Sequence, residues 1–132
     1  MKGAIERLAE LIGYPARVPG GGVSFDFLVD DDPVTARTQG GALQFRWALP
    51  GNPPIATVAA FAAGRILREE AVVAWDPATE RLILWQGTAK GADDAALVKA
   101  FQQFLNSRDW WAERMKELSA PKTKLADLVI HP

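Results

Sequence analysis

The sequence predicts an α+β domain in the order α-β-β-β-α-β-β-α, with one mostly antiparallel, twisted sheet packed against helices. Three observations predict it. Apolar residues recur at helical spacing near both ends of the chain, they alternate with polar ones between positions 23 and 49, and an uncharged stretch at 55–64 precedes a second β-rich hairpin.

In the first segment, Ile5, Leu8, Leu11 and Ile12 share one side of a helix over residues 2–12, which Gly13 and Pro15 stop. After the break from Pro19 to Gly22, Val23, Phe25, Phe27 and Val29 alternate with Ser24, Asp26, Leu28 and Asp30, the period of a half-buried strand. Asp31, Asp32 and Pro33 form the expected turn. A weak second strand then spans Val34 to Thr38, and Gly40 and Gly41 lead into a third with Leu43, Phe45, Trp47 and Leu49 on one face.

Pro50 to Pro54 closes this meander and opens a second helix, where proline is tolerated because the first turn has no use for its missing N–H. No charge occurs from Ile55 to Gly64, and a helix apolar all round is covered on both sides. Ile55, Val58, Ala62 and Ile66 are expected to face the sheet. Ala56, Ala60, Ala63 and Gly64 then form a smooth opposite surface, suited to a second copy related by a two-fold axis. A homodimer is therefore expected.

Ala71 to Trp75 and Leu82 to Trp85 make the second hairpin around Asp76 to Glu80, and both of its faces call for burial. Asp93 or Asp94 caps a long last helix reaching about Leu118, along which Leu97, Phe101, Phe104, Trp111, Met115 and Leu118 form an apolar stripe interrupted by Arg108. The single domain is set at 1–118, with 119–132 as a C-terminal tail whose Leu125, Leu128, Val129 and Ile130 follow the break at Pro121.

Composition narrows the possible functions. The 15 Lys and Arg against 16 Asp and Glu give a net charge of −1, which supplies no field to attract nucleic acid or an anionic membrane. The absence of cysteine excludes disulfides, thiolate metal sites and cysteine nucleophiles. No uncharged apolar run approaches the roughly 20 residues of a spanning helix. Lys2, Glu6, Arg7 and Glu10 interrupt the N-terminal segment as they would not in a signal peptide, so a cytoplasmic location is expected.

No catalytic constellation emerges. His131, the one histidine, lies next to the C-terminus, without the oriented partners a triad needs. The glycines at 20–22 feed a strand rather than a helix and lack the lysine of a phosphate loop. Asp26, Asp30, Asp31 and Asp32 do not follow the alternating ligand spacing of a calcium loop, so they read as turn chemistry. No catalytic, metal or cofactor residues are assigned. The five tryptophans are more telling. Trp111 lies on the last helix's stripe, whereas Trp110 lies on the side of Lys99, Gln103, Asn106 and Arg114, as a lid over the tail or an exposed contact residue. Trp75 and Trp85 are open to either a core or a contact role.

The stretch from Ala71 to Trp85, with its small-apolar strand, Asp-containing turn and Leu-rich return strand, resembles the CesT/Tir family of class I type III secretion chaperones. Asp94 to Leu118, with Leu97, Phe101, Phe104, Trp111 and Leu118, is similar to that family's last helix. The resemblance covers about residues 1–118. It implies a homodimer joined through the second helix and its neighbouring strand, and apolar grooves that hold an extended segment of a secreted effector, partly by strand addition. Leu8, Leu11, Leu28 and Trp47 are the effector contacts it implies. Two departures are the ending Ala62-Ala63-Gly64-Arg65, where an Asn is common, and the mild acidity. The second reading is a YbjN-like regulatory or stress-related binding domain of the same architecture, not tied to secretion.

Overall fold

The computed structural model describes residues 3–51, 53–65 and 68–119. Its elements are α1 (Ala4–Leu11), β1 (Ser24–Val29), β2 (Asp32–Gln39), β3 (Ala42–Ala48), α2 (Ile55–Arg65), β4 (Val72–Asp76), β5 (Arg81–Gly87) and α3 (Asp94–Ser119). The expected α+β order is observed. Lys2, Ile66 and the tail from 120 onward, including Pro121, Leu125, Leu128, Val129, Ile130 and His131, lie outside the described residues.

The five strands form one antiparallel sheet in the order β1-β2-β3-β5-β4, which leaves β1 and β4 as its outer strands. Alternation decides which face is buried. Phe27, Val34, Ala36, Leu43, Phe45, Trp47 and Leu84 point to one side, where Ile5 and Leu8 of α1 and the α3 stripe meet them. Ala36 pairs with both Phe25 and Phe45, and its small side chain leaves room between two rings. Phe101 packs 5.7 Å from Phe27 and 5.3 Å from Phe45, centroid to centroid. Each such fully buried side chain contributes about 1.5–3 kcal/mol.

The turn expected at Asp31 to Pro33 lies one residue earlier. Val29 pairs with Asp32, and the two loop residues Asp30 and Asp31 both have positive φ, 53° and 63°. This is the backbone of a tight hairpin loop whose twist matches the strands, and aspartate tolerates it better than most residues. Asp32 and Pro33 therefore belong to β2, which is eight residues long rather than a weak strand of five. Pro33 lies outside the β2–β3 pairing, which ends at Thr35 opposite Arg46, so its missing N–H breaks no rung. Gly40 and Gly41, at φ 59° and 83°, supply the same loop between β2 and β3 without a Cβ penalty.

Asp93 is the α3 cap, its carboxylate accepting the Ala96 N–H at 2.8 Å. Arg7 of α1 donates to the Ala92 carbonyl at 3.0 Å and lies 3.3 Å from Asp94, joining the first helix to the start of the last. On the opposite sheet face, Trp85 folds back over Gly87. A Cβ there would meet the indole at 2.9 Å, so that position needs glycine.

Candidate protein-binding surfaces

The uncharged sequence of α2 gives a helix with a single fully buried side chain, Val58. Phe61 and Ala62 pack partly against the core beside it. Ala56, Ala60, Ala63 and Gly64 are all exposed in the single chain and form the smooth surface read from the sequence. Ile55 was expected to face the sheet, yet it is 63% exposed. It stands at the first turn, where Gly51, Pro53, Trp75, Arg81 and Leu82 line a cleft around it. Trp75 is exposed as well. An apolar strip thus runs from the end of the β4–β5 hairpin onto α2, and no described element covers it.

What holds α2 in place is Trp110, half-buried on α3. Its ring meets Phe61 edge-on at 6.2 Å and Trp111 at 5.1 Å. The Arg65 guanidinium lies 3.8 Å from the ring centre and that of Arg114 lies 4.7 Å away, both cation–π contacts. Burial, and then repulsion from Arg68 and Arg114, hold Arg65 below the ordinary arginine value. Glu69 offsets that repulsion by pairing with Arg65, and it also accepts the Ser107 O–H at 2.8 Å. Among the described residues, Trp110 is therefore a support between α2 and α3; the tail it was expected to cover lies outside them.

The four contacts implied by the family resemblance separate by burial. Leu8 is fully buried and Trp47 is 4% exposed, so both are core residues offering no area to a partner. Leu11 and Leu28 are 43% and 57% exposed. The reason lies in register: Leu8 shares the buried stripe of α1 and Trp47 the core face of β3, whereas Leu28 points to the outer sheet face. Tyr14, three residues beyond Leu11, accepts the Leu28 N–H at 3.0 Å and packs its ring 4.9 Å from Phe27. Leu28 thus stands exposed on β1, an outer strand, and Leu11 is exposed at the end of α1.

The acidic cluster is held by a residue whose role the sequence reading missed. Arg108 breaks the α3 stripe yet is buried, and it donates to the Val29 carbonyl at 3.1 Å. Its guanidinium lies 3.6 Å from Asp30, 3.8 Å from Asp32 and 2.7 Å from Asp109. Asp32 also accepts the Trp47 indole N–H at 2.6 Å, and Asp26 accepts the Thr35 hydroxyl at 2.7 Å. Asp30 and Asp32 thus help anchor the β1–β2 turn to α3, while Asp26 ties β1 to β2. Among the described residues, no group of three or more potential ligands is placed to hold a metal ion, and no helix is long and apolar enough to cross a membrane.

No protein-family model matches the chain. No curated protein is significantly similar to it either. Solved structures are similar. A chain of the HopA1–SchA chaperone–effector complex superimposes with a TM-score of 0.66 at 14% identity, over 83% of this chain and 91% of that one. The chain has a secretion-chaperone fold. Two further solved structures extend the likeness. A chain of the ExsC–ExsE complex matches with a TM-score of 0.63 at 15% identity, over 83% and 89% of the two chains. One from the heterodimeric ExoU–SpcU complex of the type III secretion system of Pseudomonas aeruginosa matches with a TM-score of 0.61 at 20% identity, over 85% and 93%. At these identities the likeness concerns the fold, and the strips on α2 and beside β1 are surface features of this chain's version of it.

Proposed function

We propose that this protein is a class I type III secretion chaperone, a non-catalytic cytoplasmic homodimer that holds a segment of a secreted effector in extended form. The observation that carries this reading is the fold likeness, over more than four-fifths of the chain, to chains solved in a chaperone–effector complex and in a complex of the type III secretion system. The exposed alanine face of α2 supports the dimer, because monomers rarely leave a contiguous apolar strip uncovered. Pairing through Ala56, Ala60, Ala63 and Gly64 brings two backbones close and covers the same face in both copies.

The effector segment adds to the β1 edge beyond the Tyr14 hydroxyl, which already takes the Leu28 N–H, and Leu11 and Leu28 supply apolar contact, with Leu8 and Trp47 fixing their elements from beneath. All the work comes from binding energy and from the avidity of two equivalent sites. No nucleotide, cofactor, metal, nucleic acid or membrane takes part. The domain is residues 1–118, with 119–132 as its tail. A YbjN-like regulatory domain of the same architecture is the second reading, and capture of a client separates the two.

A tagged full-length chain recovered from its native cytoplasm tests the function. It is expected to retain one dominant protein, bound through that protein's N-terminal region. Recovery of clean homodimer with no client contradicts a chaperone role. Leu28→Asp should reduce client retention by about tenfold, the loss of roughly one buried leucine contact, while leaving the dimer intact.

A further inference from the structure

Beyond the dimer face and the β1 edge, the structure contains a second opening that neither surface uses. β4 pairs with β5 only as far as Val72 opposite Trp85, so Gln86 and Gly87 run on past the end of β4. Between that extension and the N-terminal half of α3 lies a cleft of about 310 Å³. Ala96 and Ala100 line it one helical turn apart on α3, with Ala92 just ahead of the helix and the charged Glu70, Asp93 and Lys99 also on its walls. The small alanine side chains leave space for a polypeptide backbone.

Gln86 also lines this cleft and is unusual for its position. It stands on the core-facing row of β5, opposite Phe45 and two residues beyond the buried Leu84, and is only 1% exposed. Its amide N–H reaches the Gln103 side-chain carbonyl at 3.4 Å, a long hydrogen bond. The Gln86 Oε1 atom is buried and has no hydrogen-bond partner among the described residues. A buried carbonyl oxygen without a donor is costly, and an apolar side chain of the same size would avoid that cost. Turning both glutamine amides over exchanges an orphan acceptor for an orphan donor and leaves the deficit in place. A peptide group, which carries one donor and one acceptor, satisfies either arrangement.

We infer that this cleft receives a peptide group of the client in extended conformation, with Gln86 hydrogen-bonded to its backbone. The inference rests on the chaperone reading, and it adds a site that recognises main chain rather than a particular side chain. A small-residue segment fits best, because the alanine side of the cleft offers contact without deep side-chain pockets.

The test is a titration of the full-length, isotope-labelled protein with N-acetyl-trialanine N-methylamide, followed by amide NMR. Saturable shifts are expected at the side-chain amides of Gln86 and Gln103 and at Ala96. Gln86→Met, which keeps the volume, should weaken binding by about fivefold or more, the equivalent of one hydrogen bond. Ala96→Leu, at an exposed helix position, should block it even if the first variant fails to fold. Absence of shifts in the wild type, or unchanged binding in either folded variant, overturns the inference. So does a crystal structure in which one ordered water satisfies Gln86 and persists when the peptide is added. These readouts do not depend on finding a client. Full client capture by Gln86→Met would refute the cleft and leave the chaperone reading standing, whereas a cleft that binds peptide in a protein retaining no client would do the reverse.

Discussion

Arg108 shows how one residue joins several parts of the fold. Its guanidinium lies under the β1–β2 turn, where it caps the Val29 carbonyl and faces Asp30, Asp32 and Asp109. The carboxylates are wet and the arginine is dry, so the two ends of these contacts differ in worth. Replacing Arg108 with Met removes a charge-assisted hydrogen bond to the Val29 carbonyl and should cost about 2 kcal/mol in urea unfolding. Asp30→Asn removes only an exposed partner, the Asp30 side chain being 91% accessible, and should stay within about 0.5 kcal/mol of wild type. Equal losses in the two variants would show that the exposed ion pair, rather than the carbonyl cap, carries the anchor. Asp76 illustrates the same principle in the β4–β5 turn. The Thr79 hydroxyl at 2.9 Å, then the Ala78 N–H at 3.1 Å, hold its carboxyl below the usual carboxylate range. Because the folded state favours the ionised form, the turn's contribution is complete above the ordinary Asp value of about 3.9 and fades as pH falls through the lowered one. Carbon NMR should place the Asp76 midpoint below that of a free aspartate, and Thr79→Val should move it back up; a midpoint unmoved by the substitution would refute the hydroxyl's part.

The elements differ in how firmly they are held. The sheet, α1 and α3 share one continuous core, whereas α2 meets it through Val58, Phe61 and Ala62 and through Trp110 with its flanking guanidiniums. Trp110→Ala should therefore raise hydrogen exchange across Ile55–Arg65 while leaving the β3 and β5 amides protected. The global loss should be about 1–2 kcal/mol, less than for a fully buried tryptophan. Uniform deprotection would mean that α2 and the sheet unfold as one unit. The same contrast explains what the sequence revealed. The alternating strands and the α3 stripe were legible because periodicity reports directly on burial, whereas α2 was legible as a helix but not in its facing, since an all-apolar stretch has no periodicity and Ile55 is exposed. The one-residue displacement of the first turn was not, because two consecutive aspartates with positive φ are a backbone property that composition hardly signals. The partner-contact leucines and tryptophans were only half legible. Leu8 and Leu28 look equally apolar in sequence, and only the helix stripe and strand register separate the buried residue from the exposed one. Arg108 offered a signal in its break of an otherwise apolar stripe, whereas Gln86 offered none beyond a polar residue after Leu84 in a buried row.

For the whole molecule, an apolar strip runs from Trp75 and Ile55 along the small residues of α2 on a chain with the fold of secretion chaperones. Covering that strip with a second copy accounts for an uncharged helix that the single chain buries at one position. A charge placed in the centre of the shared face cannot be solvated in both copies at once. Light scattering on the full chain tests this most directly. It should report twice the 14.4 kDa chain mass for the wild type and 14.4 kDa for Ala60→Glu with an unchanged circular dichroism spectrum. A wild-type protein that runs as a single chain at micromolar concentration, or an Ala60→Glu variant that keeps the doubled mass, would contradict the account.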